Sequence, residues 1–417
     1  MLIALAFAHG GYHPATWARA TVCLLCVAAV GFWLRPRITL SCQELVVLAA
    51  LASLVALVSL SVVWSAAPNS SLQEGKRALL YLAGFGACLL TRPGRRSVIL
   101  ALAAALASVV AVATLHELLL GRPGSGPLAW PVGYANSLGI LAAVALLLCV
   151  EVASSERAWL RSLAFAGLAL LPAGLLLTSS RGAWLALAVG LVMRCGLETN
   201  RPRFFGTIGA SVIPAGAAAW VAARRDQAHT PHSVWAAALV LIAVLGAVLA
   251  PSAADRLERF RSPGRIAFAA ALGCVAAVIV LSPTNPFGEQ RPYYWAAAWH
   301  DYQSHPFLGS GAGTYALSWH AERPLPVNVQ DAHSLYLETL AEVGPFGLLL
   351  MLTVFGLPLL VALRNRDSPI VTAAAPAYVA FVLHAGIDWD WEMPVVTLAA
   401  LACGALLLRS AKPGRAR

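Results

Sequence analysis

The sequence predicts an all-α fold, a polytopic bundle of about 12–14 transmembrane helices, and three observations carry that expectation. Of 417 residues, 59% are hydrophobic and 12% charged, and the mean hydropathy is +0.73. Soluble domains carry roughly twice that share of charge. Apolar runs recur along the chain at close to the ~20 residues that cross a bilayer. Arginine and lysine gather in alternate connections, as expected when successive loops fall on opposite sides of a membrane.

Taken in order, Leu2 to Ala8 is apolar but too short to span, and Gly10, Gly11 and Pro14 interrupt it, which reads as half a helix. It has neither the basic leader nor the cleavage site of a signal peptide. The apolar runs then predict helices over 16–34, 43–64, 77–91, 97–119, 134–152, 158–178, 182–197, 204–222, 233–250, 265–283, 343–363, 370–387 and 393–409. Alternate connections hold Arg35 and Arg37; Arg92, Arg95 and Arg96; Arg157 and Arg161; Arg194, Arg201 and Arg203; Arg256, Arg259, Arg261 and Arg265; and Arg364 and Arg366. With the tail residues Arg409, Lys412, Arg415 and Arg417 these make 20 of the 29 basic residues. They define a cytoplasmic side near anionic lipid, so the formal charge of +10 calls for no nucleic acid. One connection resists this bias, since Arg224 and Arg225 fall on the other side. The opposite side receives the 284–342 loop, with two Arg against six acidic residues. Of the eight cysteines all but Cys42 lie in apolar runs, where they read as small core residues. Without repeats, low-complexity tracts or long linkers, residues 1–417 read as a single membrane domain with one elaborated extracytoplasmic loop containing short helices.

That loop is where chemistry is expected, since it holds four of the ten histidines and is too polar for lipid. Arg291, Trp295 and Trp299 recur at helical spacing, placing a guanidinium and two indoles on one face suited to a bilayer surface. Asp331 is a plausible N-cap, which would put His333 in the first turn of the next helix, where the dipole favours a neutral imidazole able to act as a general base. The histidines with Asp301, Glu322, Asp331 and Glu338 lack metal-ligand spacing, so no metal or other cofactor is expected. HPFLGSGAG, 305–313, lacks the lysine and preceding strand of a P-loop and reads as a flexible turn whose amides could still meet a phosphate.

Upstream, Lys76 and Arg77 lie on the outer side, fitting either interfacial snorkelling or a phosphorylated lipid head. Arg181 lies in a turn so short that the flanking helices form a hairpin, and because a buried or interfacial Arg is costly unless paired, an anionic partner is expected, a protein carboxylate or a ligand phosphate. The PVGYAN run, 131–136, reads as turn chemistry.

From His333 the chain runs HSLYLETLAEVGPFG, with nine residues between Ser334 and Gly344 and two between Gly344 and Gly347. This resembles the His-[Asn/Ser/Gln]-x9-Gly-x-x-Gly signature of the O-antigen ligase superfamily, which includes O-antigen polymerases and pilin-type oligosaccharyltransferases. GYAN, SSRG at 179–182, Arg291 before YYWAAAW, and HPFLGSG resemble further landmarks of that family in the same order. The resemblance covers 163–352 well and the other helices only as hydropathy; the N-terminus is shorter than a complete first helix. It implies a GT-C-like, inverting, metal-independent glycosyltransferase of a bacterial plasma membrane, acting outside the cytoplasm. The donor would be a glycan on undecaprenyl pyrophosphate, and the acceptor a glycan, lipid or protein. By the same resemblance His333 would be the base and Arg291 and Arg181 would hold the pyrophosphate; Arg77, Lys76, Trp295 and Asp331 are the further substrate-binding candidates. Ligase, polymerase and protein glycosyltransferase remain open. A transporter or flippase of lipid-linked saccharides is the alternative, and it would place its polar residues at the membrane midplane.

Overall fold

The structure, a computed structural model, describes residues 1–34, 38–121, 126–224, 231–259, 261–281, 290–324 and 326–410. The expectations for Arg35, Arg37, Arg225, Lys412, Arg415 and Arg417, for the side chain of Arg261, and for 284–289 lie outside the described residues. Every predicted apolar run is helical over the bulk of its described residues. In order the elements are α1 (Leu2–Phe7), α2 (Pro14–Leu34), α3 (Cys42–Leu60), α4 (Pro68–Thr91), α5 (Arg95–Leu120), α6 (Ala135–Val152), α7 (Ala158–Leu177) and α8 (Arg181–Leu197). There follow α9 (Arg201–Ala223), α10 (His232–Glu258), α11 (Arg261–Leu281), α12 (Arg291–Ser304), α13 (Tyr315–Glu322), α14 (Leu335–Arg364), α15 (Pro369–Ala385) and α16 (Pro394–Leu408). No strand occurs among the described residues. Among the described residues eight helices, α2, α3, α5, α6, α7, α9, α10 and α14, are long and apolar enough to cross a membrane. The chain is a multi-pass membrane protein.

Two helices form the centre. α6 lies among α5, α7, α8 and α15, and α16 among α4, α14 and α15; nearly every residue of both is buried. α2 and α10 instead turn Val22, Leu25, Trp33, Val244 and Val248 outward, the pattern of helices facing lipid. The half-helix expected at the N-terminus is α1, which returns through a 3-10 turn at His9–Gly11 and packs on α5 and α16. Trp17 anchors that return by donating its indole N–H to Gly11 O at 2.6 Å.

α14 shows how a helix break positions the outer loop. Pro345 has no N–H to give Ala341 O four residues back, and Gly344 leaves helical geometry (φ 69°, ψ −172°). The carbonyls freed by this break are bonded from outside: Ser310 N–H donates to Ala341 O at 3.0 Å and Gly311 N–H to Glu342 O at 2.8 Å. The Glu342 carboxylate accepts the N–H groups of Gly313 at 2.8 Å and Tyr315 at 2.9 Å. Gly309 N–H bonds His305 O and Ala312 N–H bonds Ser61 Oγ, each at 3.1 Å. Every amide from Gly309 to Gly313 is engaged, so the glycine-rich turn is a fixed cap on a kinked helix and not the flexible, phosphate-facing turn expected. α14 also begins at Leu335, eight residues ahead of its predicted start, because the break lies inside the helix rather than at its entry. Beneath the loop Tyr294, Ala298, Tyr315 and Trp319 make a second small core.

The close approach at this turn gives a direct test. Gly309 has φ 70°, and a Cβ there would collide with the Glu342–Val343 peptide. Gly309→Ala should lose roughly 1–3 kcal/mol or more from backbone strain alone, read as a lower Tm of the purified protein. Gly216→Ala, in α9 where an added Cβ meets nothing within 4 Å, should be neutral or slightly stabilising. Equal Tm values for the two variants would contradict the cap.

Candidate active site

The site is built on the connection between α15 and α16, whose three carboxylates Asp388, Asp390 and Glu392 are all buried. A buried carboxylate must be paired or neutralised; Asp388 and Glu392 draw partners from distant parts of the chain, and Asp390 is met by His384, six residues before it. Asp388 Oδ2 accepts Arg291 Nη2 and Asn136 Nδ2, both at 2.7 Å, while Oδ1 accepts the Tyr134 hydroxyl at 2.9 Å and Trp389 N–H at 3.0 Å. Burial would raise this carboxyl, but Arg291, then His384 and His333, hold it below the usual range. One side chain thus ties the start of α12, the entry to α6 and the α15–α16 connection together. The PVGYAN run is more than turn chemistry: its Tyr134 and Asn136 are two of the four donors to Asp388.

The other two carboxylates lie behind. Asp390 meets His384 Nδ1 at 2.7 Å, both fully buried. Glu392 meets Arg77 Nη2 at 3.1 Å; Arg77 also pairs with Glu74 and stacks over Trp17 at 5.5 Å. Arg77 is therefore buried among carboxylates, whereas snorkelling or lipid binding would have left it at the surface. Lys76 beside it is exposed, with no hydrogen bond or ion pair among the described residues. Asp331, Glu338 and Glu392 bring carboxylate oxygens within 4.8 Å of one another, a set a cation could bridge. Two of its members are seven residues apart and the third comes from the far end of the chain, so histidine spacing gave no sign of it. Burial and neighbouring carboxylates raise Asp331 and Glu392 above their usual range despite Arg77. Of the loop histidines, His300 pairs with Glu322 and His305 with Asp301, each at 3.1 Å.

His333 stands in front of this assembly. Ser334 is the N-cap of α14, so Asp331 does not cap the helix and His333 precedes the first turn instead of lying in it. The cause is local: His333 has φ 53°, and Glu338 reaches back to Ala332 N–H at 2.7 Å. Left-handed backbone at a side-chain-bearing residue persists only where its surroundings fix it. Trp295 contributes by donating its indole N–H to His333 O at 3.4 Å, and the Tyr294 ring lies 5.2 Å away. Trp295 therefore faces the site, while Trp299 is exposed. His333 Nδ1 lies 3.0 Å from Asp331 O. A carbonyl only accepts, so Nδ1 carries the proton and Nε2 the lone pair. Burial lowers the imidazole pKa against the pull of Asp388, which favours the neutral form expected, by desolvation rather than by the helix dipole.

Arg181 opens α8 directly after its N-cap, Ser180, and is buried with Nη2 lacking a hydrogen-bond partner among the described residues. The start of α8 packs on the connection carrying Asp388: a Cβ on Gly182 would lie 3.2 Å from His384 Nε2 and from Ile387. The N-terminal ends of α6, α8 and α12 thus meet near Asp388, adding their partial positive charge.

The site's histidine is followed at fixed spacing by the glycine at which α14 kinks, and residues 165–352, which hold both, match the family model described as O-antigen ligase. This segment is an O-antigen ligase domain. That family comprises enzymes that transfer lipid-linked glycans. No curated protein matches the chain. The O-antigen ligase domain contains Arg181, Arg291 and His333, but the residues that fix Arg291, namely Tyr134, Asn136 and Asp388, lie outside it on both sides. Sequence reading missed Asp388, Asp390 and Glu392; the available signal was three acids within five residues between two apolar helices.

Arg77 provides the test that separates structure from binding. Arg77→Ala leaves Glu74 and Glu392 without a counter-charge and should cost about 3–5 kcal/mol, with Glu392→Gln in the same chain restoring part of the loss in a double-mutant cycle. An unchanged Tm in Arg77→Ala with impaired donor binding would instead return Arg77 to the substrate.

Proposed function

We propose that this O-antigen ligase domain transfers a glycan from undecaprenyl pyrophosphate to an acceptor hydroxyl at the extracytoplasmic face of a bacterial plasma membrane. The chain acts as a single membrane domain, 1–417, with its active site on the 284–342 loop and the connections facing it. The observation that carries this reading is His333, whose Nδ1–H is fixed on Asp331 O so that Nε2 presents a lone pair beside the Arg291–Asp388 pair.

Nε2 takes the proton of the acceptor hydroxyl as its oxygen attacks the anomeric carbon. The bond from that carbon to the pyrophosphate oxygen breaks on the opposite face, so configuration inverts and undecaprenyl pyrophosphate departs with the bonding electrons. Arg291, held by Asp388, and Arg181, whose Nη2 is unpartnered, supply the charge that the leaving group needs. Guanidinium forks meet this need without a metal. Trp295 and Asp331 serve the substrate by fixing His333 through its backbone carbonyl and its Nδ1–H, and Arg77, with Lys76 beside it, anchors the acidic cluster behind.

His333→Ala should lose on the order of a hundredfold or more in turnover while keeping Tm and donor binding. Because burial lowers the His333 pKa below 6.5, the base form persists as pH falls through that value, and the rate should decline only further into acid. Retained transfer in His333→Ala, or an acid limb at or above pH 6.5, would sink the base assignment; loss of wild-type transfer with chelator would move the chemistry to a cation on the carboxylate cluster.

Arg181→Lys should be nearly as damaging as Arg181→Ala, since a point charge cannot replace the fork. Near wild-type transfer in Arg181→Lys would reduce its role to charge alone. For orientation, Asn328→Cys, at an exposed position of the loop, should react with an impermeant thiol reagent in intact cells. Labelling only after the inner face is opened would reverse the topology.

A further inference from the structure

Beside His333 the structure holds a row of rings that the transfer chemistry above does not use. Trp389 follows Asp388 directly, and its backbone N–H is one of that carboxylate's donors. The Trp389 ring lies 4.3 Å from Tyr134, 5.6 Å from Tyr12 and 6.2 Å from His333, centroid to centroid. All four rings are half-buried, so each keeps a face or an edge open. The Trp389 indole N–H has no hydrogen-bond partner among the described residues. Tyr12 reaches this row from the opposite end of the chain, carried by the turn at His9–Gly11 where Gly10 and Gly11 take positive φ. Its hydroxyl makes no hydrogen bond among the described residues, and it lies within the electrostatic reach of Asp331.

Two chemistries meet around His333. The Arg291 guanidinium, with Arg181 at the start of α8, suits a diphosphate. The Asp331 carboxylate would repel a diphosphate, and together with the rings it suits a neutral polyol, because a pyranose presents an apolar C–H face to a ring and hydroxyl donors to a carboxylate. The group that meets the His333 lone pair is the acceptor hydroxyl, so the sugar that bears it is the one that meets the rings beside His333.

We propose that the acceptor sugar stacks on Trp389 between Tyr12 and His333, and that the N-terminal turn carrying Tyr12 forms a wall of the acceptor subsite. The inference rests on the glycan-transfer reading and names the chemical class it takes, a pyranose with free hydroxyls. Trp389 and Tyr12 are then determinants of acceptor choice, contributed by the two ends of the chain and not by the matched 165–352 segment.

The test uses the full-length protein in proteoliposomes, with lipid-pyrophosphate-linked glycan donor and acceptor fraction both extracted from a strain deleted for the protein. Trp389→Leu and Tyr12→Leu should each raise the acceptor KM roughly tenfold, the scale of one lost aromatic contact, with the donor KM and kcat at saturating acceptor little changed. Trp389→Phe and Tyr12→Phe, which keep a ring, should recover most of the acceptor KM. If Trp389→Leu lowers Tm, because it packs on Tyr134, Tyr12→Leu on the half-exposed turn supplies the reading. Unchanged acceptor KM in Tyr12→Leu, or a rise in donor KM instead, overturns the inference while wild-type and His333-dependent transfer leave the proposed function standing. Absence of transfer by the wild type would remove the proposed function and this subsite together.

Discussion

A carboxylate that cannot be solvated must find donors inside the protein, and Asp388 is the one on which the site's geometry depends. It is 1% exposed, and its two oxygens receive four hydrogen bonds from α12, the α6 entry and its own connection. None of these segments has another reason to meet: α12 belongs to a polar loop, the α6 entry to a turn more than 150 residues upstream, and the connection to the last helical hairpin. In lipid no hydrophobic force draws helices together, so polar contacts and close packing must decide which helices meet. Removing the Arg291 charge would leave Asp388 buried and unpaired, which is far costlier than losing a surface pair. The fork is thereby oriented before any substrate arrives.

The kink in α14 is the second constraint, and it works through backbone satisfaction. A proline and a positive-φ glycine together free the carbonyls of Ala341 and Glu342, both buried residues, and buried carbonyls left unbonded are expensive. The turn at Gly309–Gly313 supplies the missing N–H groups, so it must sit where the helix breaks. That fixes α12 and α13 relative to α14, and with them the distance between Arg291 and His333. A site on a loop gains the precision of a helix in this way.

How much of this the sequence revealed follows from the range of the interactions. The apolar helices were legible because hydropathy is a local sum, and the break in α14 has an equally local cause, since Pro345 and Gly344 act on their own backbone. His333 was found through its spacing to those glycines, but its local geometry was misplaced, since a left-handed φ at a histidine has no local signature. Asp388 and its partners were not legible. Tyr134 and Asn136 look like any turn before a helix, and three acids between two apolar helices look like a solvated boundary. Only the fold shows that they are buried and that Arg291 is the partner of one. Arg77 was misread for the same reason: its carboxylates are Glu74, one turn away, and Glu392, at the far end of the chain.

The places where ordinary rules are broken also bear on function. Among the described residues four non-glycine residues are left-handed, and two of them, Ser179 and His333, sit two positions before Arg181 and just ahead of α14. Among the described residues Arg181 lacks a partner for Nη2, His384 for Nε2 and Trp389 for its indole N–H. Such costs usually mark sites where strain and unpaired groups await a ligand. A transport path would spread them along the mid-depth of several helices. Arg181, His384 and Trp389 lie instead around the start of α8 and the end of α15 with the connection that follows it, beside the site proposed for transfer.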